Sequence, residues 1–340
     1  MKHLLLIAIV IAFNVCNAQD IHFSQYMNSN QLINPALTGM FRGDLMAQVQ
    51  YKDQWNSWNN GYKTYAVGFE APIMKDLYKK GNLALGLNIC GDRAGSADFN
   101  SNFFNMSLSN IMKLNRYNNL SMGFNFGYSD RSIALNKLQW GSQYDPDFGY
   151  NSSLPTNEGN LMNENGSFDV SAGMAWSYYN PHSELEVKLG ASLYHINKPN
   201  ISFSENDVMD QHYKSVIHAE TKLPFNNDIV ELSSFYIMQG ALSEFVAGVL
   251  YKKRLSTTKA KEKVNGELII GSYYRFNDAF IPLVGFGVDN YQLFLSYDIN
   301  ISSLQTTSNY KGGLELTFKF TTPNPFARKS YKLEMGDIRI

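Results

Sequence analysis

The chain has 340 residues, and its 29 Lys and Arg residues nearly balance its 30 Asp and Glu residues. This near-neutral net charge argues against the basic footprint of a nucleic-acid-binding protein, so we expect no nucleic-acid partner. Cys16 and Cys90 are the two cysteines. Because Cys16 falls in the predicted leader, the mature chain is expected to hold neither an internal disulfide nor a cysteine-based metal site.

Residues 1–18 have the pattern of a secretory signal peptide. A basic start precedes the apolar run LLLIAIVIAF, and small residues follow at Cys16-Asn17-Ala18. We therefore predict cleavage after Ala18. The apolar run is too short to span a bilayer as a helix, and no later run is longer. An inner-membrane helical protein is not expected.

Residues 19–43 contain apolar side chains but no regular period. The stretch HFSQYMNSNQLINPALTG is broken by Asn, Pro and Gly, which favour turns. We predict an ordered, plug-like segment that enters a barrel lumen or covers its periplasmic mouth; the alternative is a disordered lead-in. Its candidate residues are Phe23, Gln25, Asn34, Pro35 and Gly39.

Residues 44–321 read as a series of strands. In LSMGFNFGY (120–128), every second residue is apolar and the residues between are small or polar. This period of two indicates a strand with one apolar face. The pattern recurs in about fourteen segments, at 45–52, 62–72, 81–90, 102–114, 118–130, 166–179, 183–196, 211–223, 229–239, 241–253, 266–276, 279–288, 290–299 and 312–321.

The length and number of these segments favour a membrane barrel over a secreted sandwich. Most exceed the mean of about 5–6 residues in soluble sheets and match the roughly 9–11 residues that cross a bilayer. A closed barrel also pairs every backbone group that lipid leaves without a partner. We predict an all-β protein, a transmembrane antiparallel β-barrel of about 14 strands in a Gram-negative outer membrane, with outer-membrane lipid around it.

Connection lengths predict the orientation of the barrel. With both termini in the periplasm, most connections predicted to face outward are long, which is typical of outer-membrane barrels. Two outward connections, after 239 and after 276, look short, and the periplasmic connection 254–265 looks long. Residues 322–340 are expected to form a periplasmic C-terminal tail.

Two predicted outward loops carry candidate binding residues. In KDQWNSWNNG (52–61), Trp55 and Trp58 would suit anchors for a surface protein, since Trp is enriched at binding hot spots. The alternative is that they lie in the membrane interface or pack within the loop. In GDRAGSADF (91–99), Asp92 and Arg93 would bind a partner or form a local salt-bridged turn.

A basic stretch, KKRLSTTKAKEK (252–263), is predicted to be a periplasmic loop. Lys252, Lys253 and Arg254 would meet an acidic partner or the cell wall, or lipopolysaccharide phosphates if the topology is reversed there; the alternative is a solvated loop. The sequence contains no HExxH, GxSxG, P-loop or dinucleotide fingerprint. We therefore expect no enzyme activity, no cofactor and no metal site, and we interpret His195 and His218 as structural residues.

The mature N-terminus, the following YKDQW, the HINKPN at 195–200 and the ending SYDINISSLQTTSNYKGGLELTFKF resemble the PorP/SprF family of Bacteroidetes. The resemblance implies an outer-membrane protein of type IX secretion and gliding motility. It also implies a role in exporting, or holding at the cell surface, a large adhesin-like protein with a type-B C-terminal domain. Alternatives are a barrel that docks periplasmic subunits of the secretion machine, or a porin-like solute channel.

Overall fold

The computed structural model describes residues 20–54, 61–77, 81–156, 158–259, 262–303 and 311–322, with backbone only at 75–77, 256–259, 262–265 and 311. Fourteen antiparallel strands close into one barrel, which confirms the predicted fold class. The barrel strands are β1 (Leu45–Gln54), β2 (Tyr62–Leu77), β3 (Gly81–Ala94), β4 (Phe99–Lys113), β5 (Asn118–Ser132), β8 (Glu164–Tyr179), β9 (Glu186–Tyr194), β10 (Lys214–Phe225), β11 (Asp228–Gln239), β12 (Leu242–Lys259), β13 (Glu262–Arg275), β14 (Ala279–Val288), β15 (Tyr291–Asn300) and β16 (Lys311–Thr322). Between β5 and β8, the two-residue strands β6 (Tyr144–Asp145) and β7 (Gly149–Tyr150) form a separate hairpin.

The barrel closes between its first and last strands. Leu45 pairs with Thr322, and the register continues to Gln54 opposite Gly313. Since β1 also pairs with β2 and β16 with β15, no barrel strand is left with a free edge. Closure of this kind satisfies the backbone in a medium that offers no hydrogen bonds.

The two faces of the strands differ as their alternation predicted. Leu87 and Phe124 on the outer face are 48% and 55% exposed, whereas Ser107 and Ser121 on the inner face are fully buried. The outer apolar surface suits lipid. The buried inner residues show that something fills the lumen.

The connections differ between the two ends of the barrel. We call the end where β1 begins and β16 ends the near mouth, and the opposite end the far mouth. Residues 226–227 and 289–290 are tight turns at the near mouth, while the far mouth carries the long connections 133–163 and 195–213. Outer-membrane barrels typically have short turns on the periplasmic side and long loops on the extracellular side. We therefore assign the near mouth to the periplasm.

The prediction of a long connection at 254–265 is wrong. β12 runs to Lys259 and β13 begins at Glu262, so both strands continue through the basic stretch. Beyond the membrane both faces of a hairpin meet water, and the apolar alternation that marks a strand disappears. The short connections after 239 and 276 are turns at 240–241 and 276–278.

The helical elements are all short. Residues Tyr26–Asn28 and Pro35–Leu37 form 3-10 turns, and Asn30–Ile33 form one α-helical turn. In the far-mouth connection, Leu135–Lys137 and Gly141–Gln143 are further 3-10 turns. Within the described part of the chain, no helix has the length and apolar character needed to span a membrane.

Candidate functional site: the occupied lumen

The chain that precedes β1 runs inside the barrel from the far mouth to the near mouth. At one end, the backbone N–H of Asp20 donates to Oε1 of Gln239, the last residue of β11, at 3.0 Å. At the other end, Arg42 donates to Glu186, the first residue of β9, at 3.2 Å. We call residues 20–43 the luminal segment.

Asn34 fixes the middle of the luminal segment. Its Oδ1 accepts from the N–H of Ala36 at 2.9 Å and so caps the turn that begins at Pro35. Its Nδ2 donates to the carbonyls of Met174 and Ala191 at 3.0 and 3.2 Å. One side chain thus shapes the segment locally and attaches it to the wall.

Asn34 also contacts His218, whose Nε2 lies 3.1 Å from Asn34 Nδ2. Both side chains are buried, at 0% and 4% exposure. The sequence predicts a structural role for His218. The residue that it contacts in the lumen, Asn34, lies 184 residues away in the chain.

Two glycines of the wall allow the segment to approach closely. A Cβ on Gly123 would lie 2.4 Å from the carbonyl oxygen of Pro35, and one on Gly173 would lie 2.0 Å from Asn34 Oδ1. Any side chain at either position would displace the segment. The small inward residues of β5 and β8 therefore match the shape of this turn.

Ser24 and Gln25 attach the segment to β15 and β16. Glu315 is fully buried and accepts from the N–H groups of Ser24 and Gln25, at 2.7 and 2.9 Å. Ser24 Oγ donates to Asp298 at 2.7 Å, and Asp298 accepts from Arg275 at 2.6 Å. These charge-assisted bonds are the stronger kind, so this attachment is expected to be firm.

Apolar side chains of the segment pack against the wall on opposite sides. Phe23 is 2% exposed and lies against Ala66 and Cys90. Tyr26 meets Phe235 with ring centroids 4.2 Å apart. Burial of these rings adds hydrophobic stabilisation to the hydrogen bonds.

The far-mouth latch consists of Asp20, His195, Asp169, Gln211 and Gln239. His195 Nε2 lies 2.6 Å from Asp20 Oδ2, and its Nδ1 lies 3.0 Å from Asp169 Oδ1. Gln211 and Gln239 donate to Asp20 Oδ1 at 2.8 and 3.0 Å. Asp20 therefore accepts on both carboxylate oxygens.

The charges of the far-mouth latch depend on one another. Burial opposes ionisation of Asp20, but Lys214 and His195 hold its pKa well below the usual range. Burial likewise disfavours a charged His195, but Asp20 and Asp169 raise its pKa to about 9. The latch therefore holds an imidazolium between two carboxylates at neutral pH.

At the near mouth the segment turns towards β1. Gly39 has a φ of +75°, and a Cβ there would lie 2.3 Å from Cβ of Ala84. Its N–H donates to Oε2 of Glu70 at 2.9 Å. The tight bend that the sequence predicts at Gly39 thus has a steric reason.

The predicted candidate residues lie in three separate places. Phe23, Gln25, Asn34, Pro35 and Gly39 are all in the luminal segment, inside the barrel. The other described candidates belong to barrel strands, Asp92 and Arg93 to β3 and Lys252, Lys253 and Arg254 to β12.

Asp92 and Arg93 end β3 near the far mouth. Asp92 accepts from Thr64 Oγ1 at 2.6 Å, and Arg93 Nε donates to Asp98 at 2.9 Å. Lys137 also contacts Asp98. These contacts are those of a local salt-bridged turn, one of the two alternatives that the sequence leaves open for Asp92 and Arg93. The other candidates of the outward loops, Trp55 and Trp58, lie outside the described residues.

The basic candidates lie on β12 rather than in a loop. Lys252 faces the lumen and pairs with Glu231 at 2.7 Å. Arg254 pairs with Glu184 at 2.8 Å, and Lys253 is exposed. The predicted leader and residues 323–340 of the predicted tail lie outside the described residues.

Sequence reasoning missed Asp20, Ser24 and Glu315 as attachment points. The available signal was a carboxylate at an inward position of a predicted strand, such as Glu315. A charge on an inward face needs a partner. The described residues contain no group of three or more His, Cys, Asp or Glu side chains arranged to hold a metal.

Architecture and lumen together define a closed membrane barrel whose interior is occupied by its own N-terminal chain. The model of one family, "Type IX secretion system membrane protein PorP/SprF", matches residues 15–320. The chain therefore belongs to the PorP/SprF family of type IX secretion outer-membrane proteins. No curated protein sequence matches it significantly.

Among solved structures, the chain is similar to several barrels at low sequence identity. They include a TodX monoaromatic hydrocarbon channel mutant (9% identity, 87% of this chain and 94% of that chain, TM-score 0.47). The NalP autotransporter translocator domain from Neisseria meningitidis also matches (13%, 87% and 93%, TM-score 0.35). CdiB from Acinetobacter baumannii matches too (9%, 82% and 60%, TM-score 0.42), so the chain spans 60% of that protein's length.

Proposed function

We propose that this protein is a non-catalytic outer-membrane component of type IX secretion that anchors, or helps to export, a large adhesin-like surface protein. The partner is expected to carry a type-B C-terminal domain. Membership of the PorP/SprF family supports the secretion pathway. The occupied lumen is the observation that favours an anchor over a solute channel.

A porin needs a continuous aqueous path, and the luminal segment stands in that path. It forms hydrogen bonds with β15 and β16 through Ser24 and Gln25, and with β8 and β9 through Asn34. Larger barrels of this architecture are either water-filled or plugged. The segment would act as the plug.

The far mouth offers a surface for such a partner. Its two long connections join through a hydrogen bond from the N–H of Met162 to the carbonyl of Phe203 at 2.7 Å. Phe148 and Val208, one on each connection, are 90% and 77% exposed. Exposed aromatic and apolar side chains on loops that are joined by hydrogen bonds favour protein binding.

Photo-crosslinking in intact cells tests the proposal. A photo-reactive residue replaces Phe148 at the far mouth, and a matched control replaces the exposed Asn226 at the near mouth. The anchor function predicts that position 148 captures one large surface protein and that position 226 does not. If neither position captures such a protein, the anchor proposal is wrong.

A second candidate function is docking of periplasmic secretion subunits. A cavity of about 320 Å³ at the near mouth favours it, because acidic and basic side chains such as Glu186, Lys222 and Lys252 line that cavity together. Capture of periplasmic subunits at position 226, with none at position 148, would support this alternative over the anchor.

A further inference from the structure

The hairpin of β12 and β13 extends beyond its neighbouring strands at the near mouth. The pairing of β12 with β11 ends at Lys252 opposite Ile229. The pairing of β12 with β13 continues to Lys259 opposite Glu262. Residues 253–259 therefore have a sheet neighbour on one side, and on the other side no neighbouring strand among the residues that the structure describes.

The open edge of β12 presents backbone groups in a regular order. The N–H of Arg254 points to this edge, where it donates to Oδ1 of Asp228, the first residue of β11, at 2.9 Å. Alternate residues of a strand direct their backbone groups to the same edge, so Ser256 and Thr258 present theirs there as well. No described strand pairs with β12 at these two residues. A row of free backbone groups on an edge is a template for another strand.

A second strand also extends past its neighbour at the near mouth, but its edge is interrupted. The pairing of β2 with β1 ends at Glu70 opposite Met46, and β2 continues to Leu77. Pro72 lies in this stretch, and register shifts follow it. Pro has no N–H to donate, and a bulge ends regular pairing. The open stretch of β12 contains no Pro, and its register with β13 is continuous.

The charge of the hairpin indicates which kind of strand fits its edge. Residues 253–263 contain a single acidic residue, Glu262, and the basic residues are Lys253, Arg254, Lys259, Lys261 and Lys263. Arg254 is already paired with Glu184 at 2.8 Å, whereas Lys253 is exposed. Lysines on an edge keep a second copy of the same edge away, and they attract an acidic segment.

The chain's own end has the wrong charge for this edge. Residues 323–340 contain four basic and two acidic residues. Two basic segments repel each other, so charge favours a segment from another protein. On the periplasmic side of the barrel, that protein is a periplasmic one.

We propose that the open edge of β12, at residues 255–259, binds an acidic, extended segment of a periplasmic protein by β-strand addition. The segment lies in line with β11 and bonds to the backbone groups of Ser256 and Thr258, while its carboxylates meet the lysines of the hairpin. In this mode main-chain hydrogen bonds give affinity and side chains give specificity. The proposal rests on the near-mouth docking considered above as the second candidate function, and it names how that docking occurs.

Fluorescence anisotropy with the purified full-length barrel in detergent tests the edge. The probe is a labelled, capped Thr-Glu-Val-Glu-Val-Glu peptide, and the control peptide has Lys in place of Glu. Thr258→Pro removes an N–H from the open edge and leaves the ladder to β13 intact, whereas the matched Thr258→Ala keeps that N–H. The glutamate peptide should bind the wild type and Thr258→Ala alike, and Thr258→Pro several-fold more weakly. Ser256→Pro is a second variant with the same expectation, and thermal melts check that each variant keeps its barrel.

Three results would overturn the proposal. They are failure of the glutamate peptide to bind the full-length chain, equal binding of the two peptides, and equal binding to Thr258→Pro and Thr258→Ala. If the glutamate peptide binds only after removal of residues 323–340, the chain's own end occupies the edge, and the proposed partner segment is wrong. The assay involves neither export nor capture at position 226, so it can fail while the anchor function or near-mouth docking stands.

Discussion

Replacing Asn34 with Ala should loosen the luminal segment without opening the barrel wall. The change removes the cap on the turn at Pro35, which costs about 1 kcal/mol. It also leaves His218, 4% exposed, without its partner, for a further 1–3 kcal/mol or so. A total of about 2–4 kcal/mol corresponds to a rise in the detached population of roughly 30- to 1000-fold.

Cys90 provides a built-in reporter for this change. Its thiol is 2% exposed and lies against Phe23 of the segment, so a thiol reagent should reach it only when the segment moves away. Asn34→Ala should raise the labelling rate of Cys90 by the factor above, provided that closing is faster than labelling. The matched control is Asn110→Ala on the exposed outer face of β4, which should leave the rate unchanged. Equal rates in the wild type and Asn34→Ala would refute the reasoning that Asn34 holds the segment in the lumen.

Three further predictions concern steric fit, pH and the surface. Gly123→Ala should lower the thermal midpoint through a steric cost of about 1–3 kcal/mol, whereas Gly141→Ala, whose Cβ would meet nothing within 4 Å, should not. The pKa of His195 is raised from 6.5 to about 9, so its stabilising contribution is complete below pH 6.5 and is lost as the pH rises through 9. Thermal melts across this range should show that loss in the wild type and not in His195→Gln, and parallel curves would contradict it. Arg93→Ala should leave the melting midpoint unchanged because the Arg93 side chain is 62% exposed in its pair with Asp98, and a clear drop would indicate a larger role for that turn.

The sequence predicts the barrel well because its signal is local. In 120–128 the alternation alone identifies both the strand and its outward face, and β5 has these properties. The signal fails at 254–265, where β12 and β13 continue although the sequence RLSTTKAKEKVN lacks a regular apolar alternation. Periodicity identifies a strand only where its two faces meet different surroundings.

Among the contacts of the luminal segment, too, the sequence predicts those between neighbouring residues and misses those between distant ones. Asn34-Pro35 predicts a turn because a cap and a fixed φ are properties of neighbouring residues. The far-mouth latch is invisible to such reasoning, because Asp20 and His195 are 175 residues apart in the chain and meet only when the barrel closes. Which wall residues accept the segment follows from the barrel register.

Single-channel conductance in planar bilayers measures directly whether the luminal segment closes the barrel. The intact protein should show no steady conductance, and a chain lacking residues 20–38 should form open channels with a stable step size. Equal conductance from the two proteins would show that the segment does not close the barrel, and would make the solute channel the better explanation.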